Sequence, residues 1–287
     1  MKEYLTGEDL FSYLIILGVP GKSKRFILCE GDSDCAVLDP HLDDGVVETI
    51  PGYGKDSVIE AVQIAFDSGF TNVAALIDRD WGKSRRKPCD LAVPTDKYDI
   101  DATVFYAGDV CRRVVSAFCD RDRVREFLAA HGWSSPMEAV SALAFPLGVL
   151  RKLSYDEGWG IKVAGTPFDK VAQPDCNGVD LSALVVSAIE RAGKPRISER
   201  DVPDVIGSVN RFMAQVEDIS DYCCGHDLNS ALSFLMRKKW SGKASKDLIE
   251  RSMRGAFSCR EMLGSRFFKG IHGVFGVPEG DLFTCAS

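Results

Sequence analysis

Short apolar runs divided by polar and glycine-rich turns mark the first third of the chain. Thr6-Gly-Glu-Asp9 resembles a capping box, with Asp in the place usual for Glu, and predicts a helix over 8–17 that Gly18-Val-Pro20 ends. FILC, residues 26–29, is short enough to be a buried strand. Gly31 permits a sharp exit, and Asp32 or Ser33 can cap a short helix that meets Pro40. VVETI, 46–50, is a second strand and PGYG a turn. From Lys55 to Ser68 the apolar positions Val58, Ile59, Val62, Ile64, Ala65 and Phe66 make one helical face, with Gly69 suited to the cap beyond it. NVAALI, 72–77, is the third strand, and LAVPT, 91–95, a fourth at an edge, because Pro94 cannot donate to a central ladder.

Strand, helix, strand, helix, strand in this order predicts right-handed crossovers and a parallel sheet. From about Asp109 onward, segments 109–130, 136–152, 179–192, 201–218, 227–240 and 244–270 carry helical periodicity and little strand alternation. The expected division is therefore an α/β head over 1–108 and a mostly helical domain over 109–287, with the Gly-, Pro- and Asp-rich stretch 154–178 as a long surface loop. No internal repeat is visible.

An apolar share of 45% with 27% charged residues is ordinary for a globular chain. No apolar run approaches the ~20 residues of a membrane-spanning helix, and FSYLIIL, preceded by Glu3, Glu8 and Asp9, lacks the features of an export signal. A cytoplasmic protein without a membrane role is expected. The ten cysteines are scattered, with Cys29, Cys35, Cys111, Cys119 and Cys259 standing singly in apolar segments, which reads as reduced core residues. The adjacent pair Cys223-Cys224 lacks the CxxC spacing of a zinc knuckle, so no zinc site is expected. The net charge of −7 argues against a general polyanion binder, but residues 237–269 hold ten Lys and Arg against three acids. Lys83, Arg85, Arg86 and Lys87 form a second basic cluster. Either cluster reads as a solvated face or as a phosphate contact.

The chemistry lies where strands stop on acids. Glu30 closes the first strand; Asp78 and Asp80 close the third. In an open parallel sheet the carboxyl ends of the strands share one edge, where ligands bind. In an extended segment Asp78 and Asp80 project together and Arg79 away. Carboxylates brought that close call for a cation, and a hard ion such as Mg2+ (or Mn2+) suits oxygen ligands. Asp34 either supports that ion or, with Asp32, occupies the first turn of a helix and favours its dipole. PGYGKDS is not a Walker A, since only Tyr53 separates Gly52 from Gly54-Lys55, yet Lys55 enters a helix on the ligand edge and could contact phosphate. The basic cluster at Lys83, Arg85 and Arg86 follows the acids directly, as a phosphodiester substrate requires. Asp99 and Asp101 repeat the acid-x-acid spacing, and His226 and Asp227 precede a helix for which Asp227 can serve as a cap.

EGDSD resembles the EGxxD signature of the TOPRIM fold, and IDRD its DxD motif, with a suitable strand and helix between. YDIDATVF and GHDL resemble the later acidic and GHD/GKD-type motifs of the compact TOPRIM nucleases of OLD-like and PARIS anti-phage systems, with Asp101 in place of Glu. The resemblance covers about 26–106 and Gly225 to Leu228. It implies a TOPRIM-like, Rossmann-like head and a Mg2+-dependent endonuclease. In it Glu30, Asp78 and Asp80 are catalytic metal ligands, Asp34 supports the metal, and His226 lies near the scissile phosphate. It further implies RNA or DNA as substrate, a toxic role in defence, and a separate ABC- or SMC-like ATPase partner; self-association is left open. The alternatives are a non-catalytic regulatory or nucleic-acid-binding TOPRIM protein and, less favoured, a phosphatase or nucleotidyl-transfer enzyme.

Overall fold

The computed structural model describes residues 6–17, 24–81, 89–277 and 282–286. It begins with α1 (Gly7–Leu17), β1 (Arg25–Cys29), α2 (Asp32–Leu38), β2 (Val47–Pro51), α3 (Lys55–Asp67), β3 (Val73–Ile77), β4 (Ala92–Pro94) and α4 (Ile100–Tyr106). The four strands form one parallel sheet in the order β2-β1-β3-β4. This agrees with the α/β class and the parallel head expected from the hydrophobic pattern. Pro94 lies on the outermost strand, as its missing N–H requires. Because β2 and β3 flank β1 on opposite sides, the strand order reverses at β1, and the carboxyl ends of β1 and β3 are where such a sheet places its ligands.

One sheet face packs on α1 and α3. Phe26 and Leu28 of β1, with Val73, Ala75 and Ile77 of β3, alternate onto a cluster that includes Leu10, Leu14, Val58 and Val62. The turn into α3 depends on Gly54, whose φ of +155° is available only without a side chain.

The chain forms two compact units, residues 1–103 with 257–287, and residues 104–256. The second unit is helical: α5 (Val110–Phe118), α6 (Arg121–His131), α7 (Pro136–Asp156), α8 (Phe168–Val171), α9 (Leu181–Glu190), α10 (Val202–Met213), α11 (Gly225–Lys238) and α12 (Lys246–Ala256). Its centre is α7, which packs on α10 and α11 and is buried through Leu143, Ala144, Leu147 and Leu150. The expected loop at 154–178 is shorter than predicted, since α7 runs through Asp156 and α8 interrupts the remainder.

The last helices, α13 (Cys259–Gly264) and α14 (Arg266–Phe275), return to the α/β unit, so 257–287 does not belong with the helical domain in which its periodicity placed it. The reason is coverage. All five residues of β3 are buried, which needs apolar cover on both faces of the sheet. Ala92 joins the cluster under α1 and α3, whereas its neighbour Val93 meets Gly270 of α14. Asp96 fastens this helix: its Oδ2 accepts from the Arg266 N–H at 2.8 Å and its Oδ1 from the Phe267 N–H at 2.9 Å. A disulfide joins Cys259, expected to be a single reduced thiol, to Cys285, while the other eight cysteines form no disulfide. Among the described residues, no helix is long and apolar enough to cross a membrane.

A Cβ at Gly270 would lie 2.6 Å from Cγ1 of Val93, a side chain held stiffly by its β-branch. Overpacking of this kind costs ~1–3 kcal/mol against a helix-propensity gain of ~1 kcal/mol. Gly270→Ala is therefore expected to lower stability in urea unfolding, and to raise it in a Val93→Ala background. The same sign in both backgrounds would sink this account of the contact.

Candidate functional site

The parallel register makes Glu30 and Asp78 neighbours. Leu28 pairs with Ala75, so Glu30, two residues on, ends β1 beside the end of β3. Its Oε1 accepts from the Asp78 N–H at 2.9 Å. Lys55, at the start of α3 after β2, reaches across the strand ends. Its ammonium donates to Asp80 Oδ2 at 2.7 Å and to the Asp78 carbonyl oxygen at 2.6 Å, and lies 3.8 Å from Glu30 Oε1. Glu30, Asp78 and Asp80 are thus assembled at the switch point of the sheet, together with Lys55, which the sequence allows as a phosphate contact.

The acid-x-acid geometry differs from the extended alternation expected. Asp80 has a φ of +40° and its N–H donates to the Tyr98 carbonyl at 3.1 Å, so the chain leaves the strand line after Asp78. The Arg79 N–H donates to Thr95 Oγ1 at 3.1 Å. Thr95 also continues the ladder, donating its N–H to Ile77 at 2.9 Å.

Asp99 and Asp101 belong to a helix start, not to a second extended acid pair. Asp99 Oδ1 accepts from the Ala102 N–H at 2.6 Å, as an N-cap does, while Asp101 is buried in the first turn of α4. Asp78 shares this helix end, its Oδ1 accepting from the Ile100 N–H at 3.2 Å. Asp34 is held by its own helix: Oδ2 accepts from the Gly31 N–H at 2.9 Å, which favours the helix-start reading of this residue. The Tyr53 hydroxyl donates to Asp32 at 3.3 Å.

Burial raises the Glu30 carboxyl above its ordinary value; the Asp78 N–H and Lys55 pull it down, and Asp34 and Asp80 push it up. Asp78 is raised well above the ordinary carboxylate range, first by burial and then by the charges of Asp99, Glu30, Asp34 and Asp80. The acids therefore lack full compensation, although Lys55 stands among them. Three carboxylates and a main-chain carbonyl are the oxygen donors that a hard divalent cation takes. The donor set fits Mg2+ or Mn2+. The three carboxylates do not, however, converge to within 4.8 Å of one another, and it is Lys55 that supplies positive charge there.

Lys83, Arg85 and Arg86 lie outside the described residues. His226 belongs to the helical unit, at the start of α11, where its Nδ1 lies 3.1 Å from Glu250 Oε1 and its side chain is 65% exposed. Asp227 is not the cap expected of it: the N-cap is Cys224, and Asp227 lies inside the first turn of α11, 4% exposed and in an ion pair with Arg151 of α7. Sequence reasoning missed that pair and the counter-ion role of Lys55. For Lys55 a signal existed, namely a lysine opening the helix between two acid-terminated strands. Arg151 had none.

No family model matches the chain, and no curated protein matches it.

An acid whose pKa is raised on folding binds its proton more tightly in the folded state, so the cation-free protein loses stability as pH rises from the ordinary carboxylate range through the raised value. Asp78→Asn stays neutral and keeps an acceptor for Ile100. In chelator, thermal unfolding is expected a few degrees higher than wild type at neutral pH, with the gain vanishing toward the ordinary carboxylate range. A loss of equal size at both pH values would contradict the burial and charge repulsion assigned to Asp78.

Proposed function

We propose that this protein is a TOPRIM-type nuclease that hydrolyses phosphodiester bonds of RNA or DNA with Mg2+ or Mn2+, acting as the toxic effector of an anti-phage system. The observation that supports the reading is the gathering of Glu30, Asp78 and Asp80 at the reversal of strand order, with the carboxyls of Glu30 and Asp78 raised by burial and mutual charge. The motif resemblance adds the class of reaction.

In this proposal Glu30, Asp78 and Asp80 hold the ion. When bound, it would neutralise charge building on the phosphorus centre and lower the pKa of an attacking water. Lys55 has a part that follows from its contacts. Its ammonium stands in for the cation before loading, and once displaced it is free to bind a phosphate oxygen of the substrate as a point charge. Asp34 supports the ligand set indirectly, by holding Gly31 beside Glu30. Asp99 and Asp101 serve the start of α4, which the Asp78 carboxylate also engages. A separate ABC- or SMC-like ATPase is the proposed trigger.

The regulatory, nucleic-acid-binding alternative leans on the basic segment 237–269. There Arg237 and Lys238 lie 3.6 and 2.7 Å from Asp169, so part of that charge is already neutralised. The hydrolase reading is preferred on that ground.

Purified protein with Mg2+ or Mn2+, assayed with and without the ATPase, is expected to cleave nucleic acid; Glu30→Ala and Asp80→Ala should each abolish cleavage. Undiminished cleavage in both variants would overturn the assignment. Lys55→Met tests the counter-ion role separately. Its removal leaves the acids without their cation, so the melting temperature in chelator should fall. Because a ligand stabilises by its mass action on the folded state, added Mg2+ should then raise the melting temperature by more than it does in wild type. Equal responses to Mg2+ would mean that Lys55 does not compete with the ion.

A further inference from the structure

His41, Cys259 and Cys285 meet in the α/β unit, far from one another in sequence and with no part in the carboxylate site. His41 ends the turn after α2 and is 5% exposed. Its Nδ1 lies 3.2 Å from the Cys285 sulfur and 3.8 Å from the Cys259 sulfur. Three further contacts place the terminal segment against it. Leu42 and Phe283 form an antiparallel bridge, the Asp43 N–H donates to Leu282 at 3.0 Å, and the Thr284 hydroxyl donates to the His41 carbonyl at 3.2 Å. The ring is further set by Phe257, edge-on at 5.7 Å. The imidazole is thus oriented by its surroundings, and its metal-competent nitrogen faces both sulfurs.

Two thiolates and an imidazole are the donors that Zn2+ prefers. In a tetrahedral site with Zn–S near 2.3 Å and Zn–N near 2.0 Å, sulfur and nitrogen stand about 3.5 Å apart and the two sulfurs about 3.8 Å. The two sulfur–nitrogen separations already bracket that value. Only the sulfur–sulfur bond has to open.

We propose that His41, Cys259 and Cys285 form a redox-controlled zinc site, which holds one Zn2+ when the cysteines are reduced and releases it when they join as a disulfide. Reduction transfers two electrons and two protons from a dithiol to the Cys259–Cys285 bond, giving two protein thiols and a disulfide of the reductant. Binding then expels both thiol protons to solvent, and Zn2+ accepts electron pairs from the two sulfurs and from Nδ1 of an imidazole protonated at Nε2. A fourth position is left for water. Either state fastens the terminal segment to α13 and to the turn after α2. In a reducing compartment, where disulfides do not persist, the metal replaces the covalent link. Local spacing could not reveal this site, because its ligands are drawn from three segments and no two of them lie close in sequence.

The test uses the full chain, stripped with chelator and reduced with a phosphine, then titrated with Zn2+ against a chromophoric competitor and, separately, with Co2+. The expected result is one Zn2+ per chain and a thiolate-to-cobalt charge-transfer band. Cys285→Ser and His41→Ala should each lose more affinity than the roughly 10–100-fold that removing an outer partner of a ligand costs. Cys119→Ala should bind as wild type does. Wild type oxidised to the disulfide should lack the band and take up one Zn2+ fewer than the reduced chain, a comparison that needs no substitution and no assumption about variant folding. Absence of zinc uptake by the reduced wild type overturns the proposal. So does equal uptake by the reduced and oxidised chains, or an undiminished cobalt band in folded Cys285→Ser.

Discussion

Carboxylates crowded at one end of a buried sheet need positive charge, and that need organises the α/β unit. Glu30 and Asp78 come side by side because their strands are hydrogen-bonded neighbours, and Asp80 follows from a left-handed turn. Desolvation and mutual repulsion work against ionisation at Glu30 and Asp78. Lys55 partly answers, with its ammonium shared between Asp80, a main-chain carbonyl and, more distantly, Glu30. Main-chain N–H groups add to this without completing it, from Asp78 to Glu30 and from Ile100 to Asp78. Carboxyls raised by burial and by one another are the kind of group that clusters at functional sites.

The sheet imposes the second demand. A strand buried at every position cannot be satisfied by one helical layer. α1 and α3 supply one face, and the chain supplies more cover from its far end, through α14 and the anchoring of that helix on Asp96. Residues 282–286 lie against His41 and Leu42, where an antiparallel bridge and the Cys259–Cys285 link hold them. The same return that covers the sheet also brings three zinc-competent donors together.

Much of the local architecture was legible in the chain. The runs FILC, VVETI and NVAALI became β1, β2 and β3, shifted by a residue at most at any end, and Pro94 marked the edge strand. Helical periodicity placed most of α5 to α12, and the strand-terminal acids pointed to the switch point. Other readings needed contacts that no window of sequence contains. Asp99 and Asp101 carry an acid-x-acid spacing that a strand and a helix cap share, and only the hydrogen bond to Ala102 decides between them. Cys259 looked single because its partner lies at the far end of the described chain.

The sequence by itself determined the elements, their parallel order and the acids at the strand ends, because periodicity, turn chemistry and strand termination are properties of near neighbours. Tertiary structure decided that residues 257–287 return to the sheet, that Lys55 faces the acids, that Asp227 is buried against Arg151, and that His41 meets Cys259 and Cys285. Each of these depends on two segments approaching across a folded core. Side-chain patterning says which face of an element is apolar; only the packed chain says what that face meets.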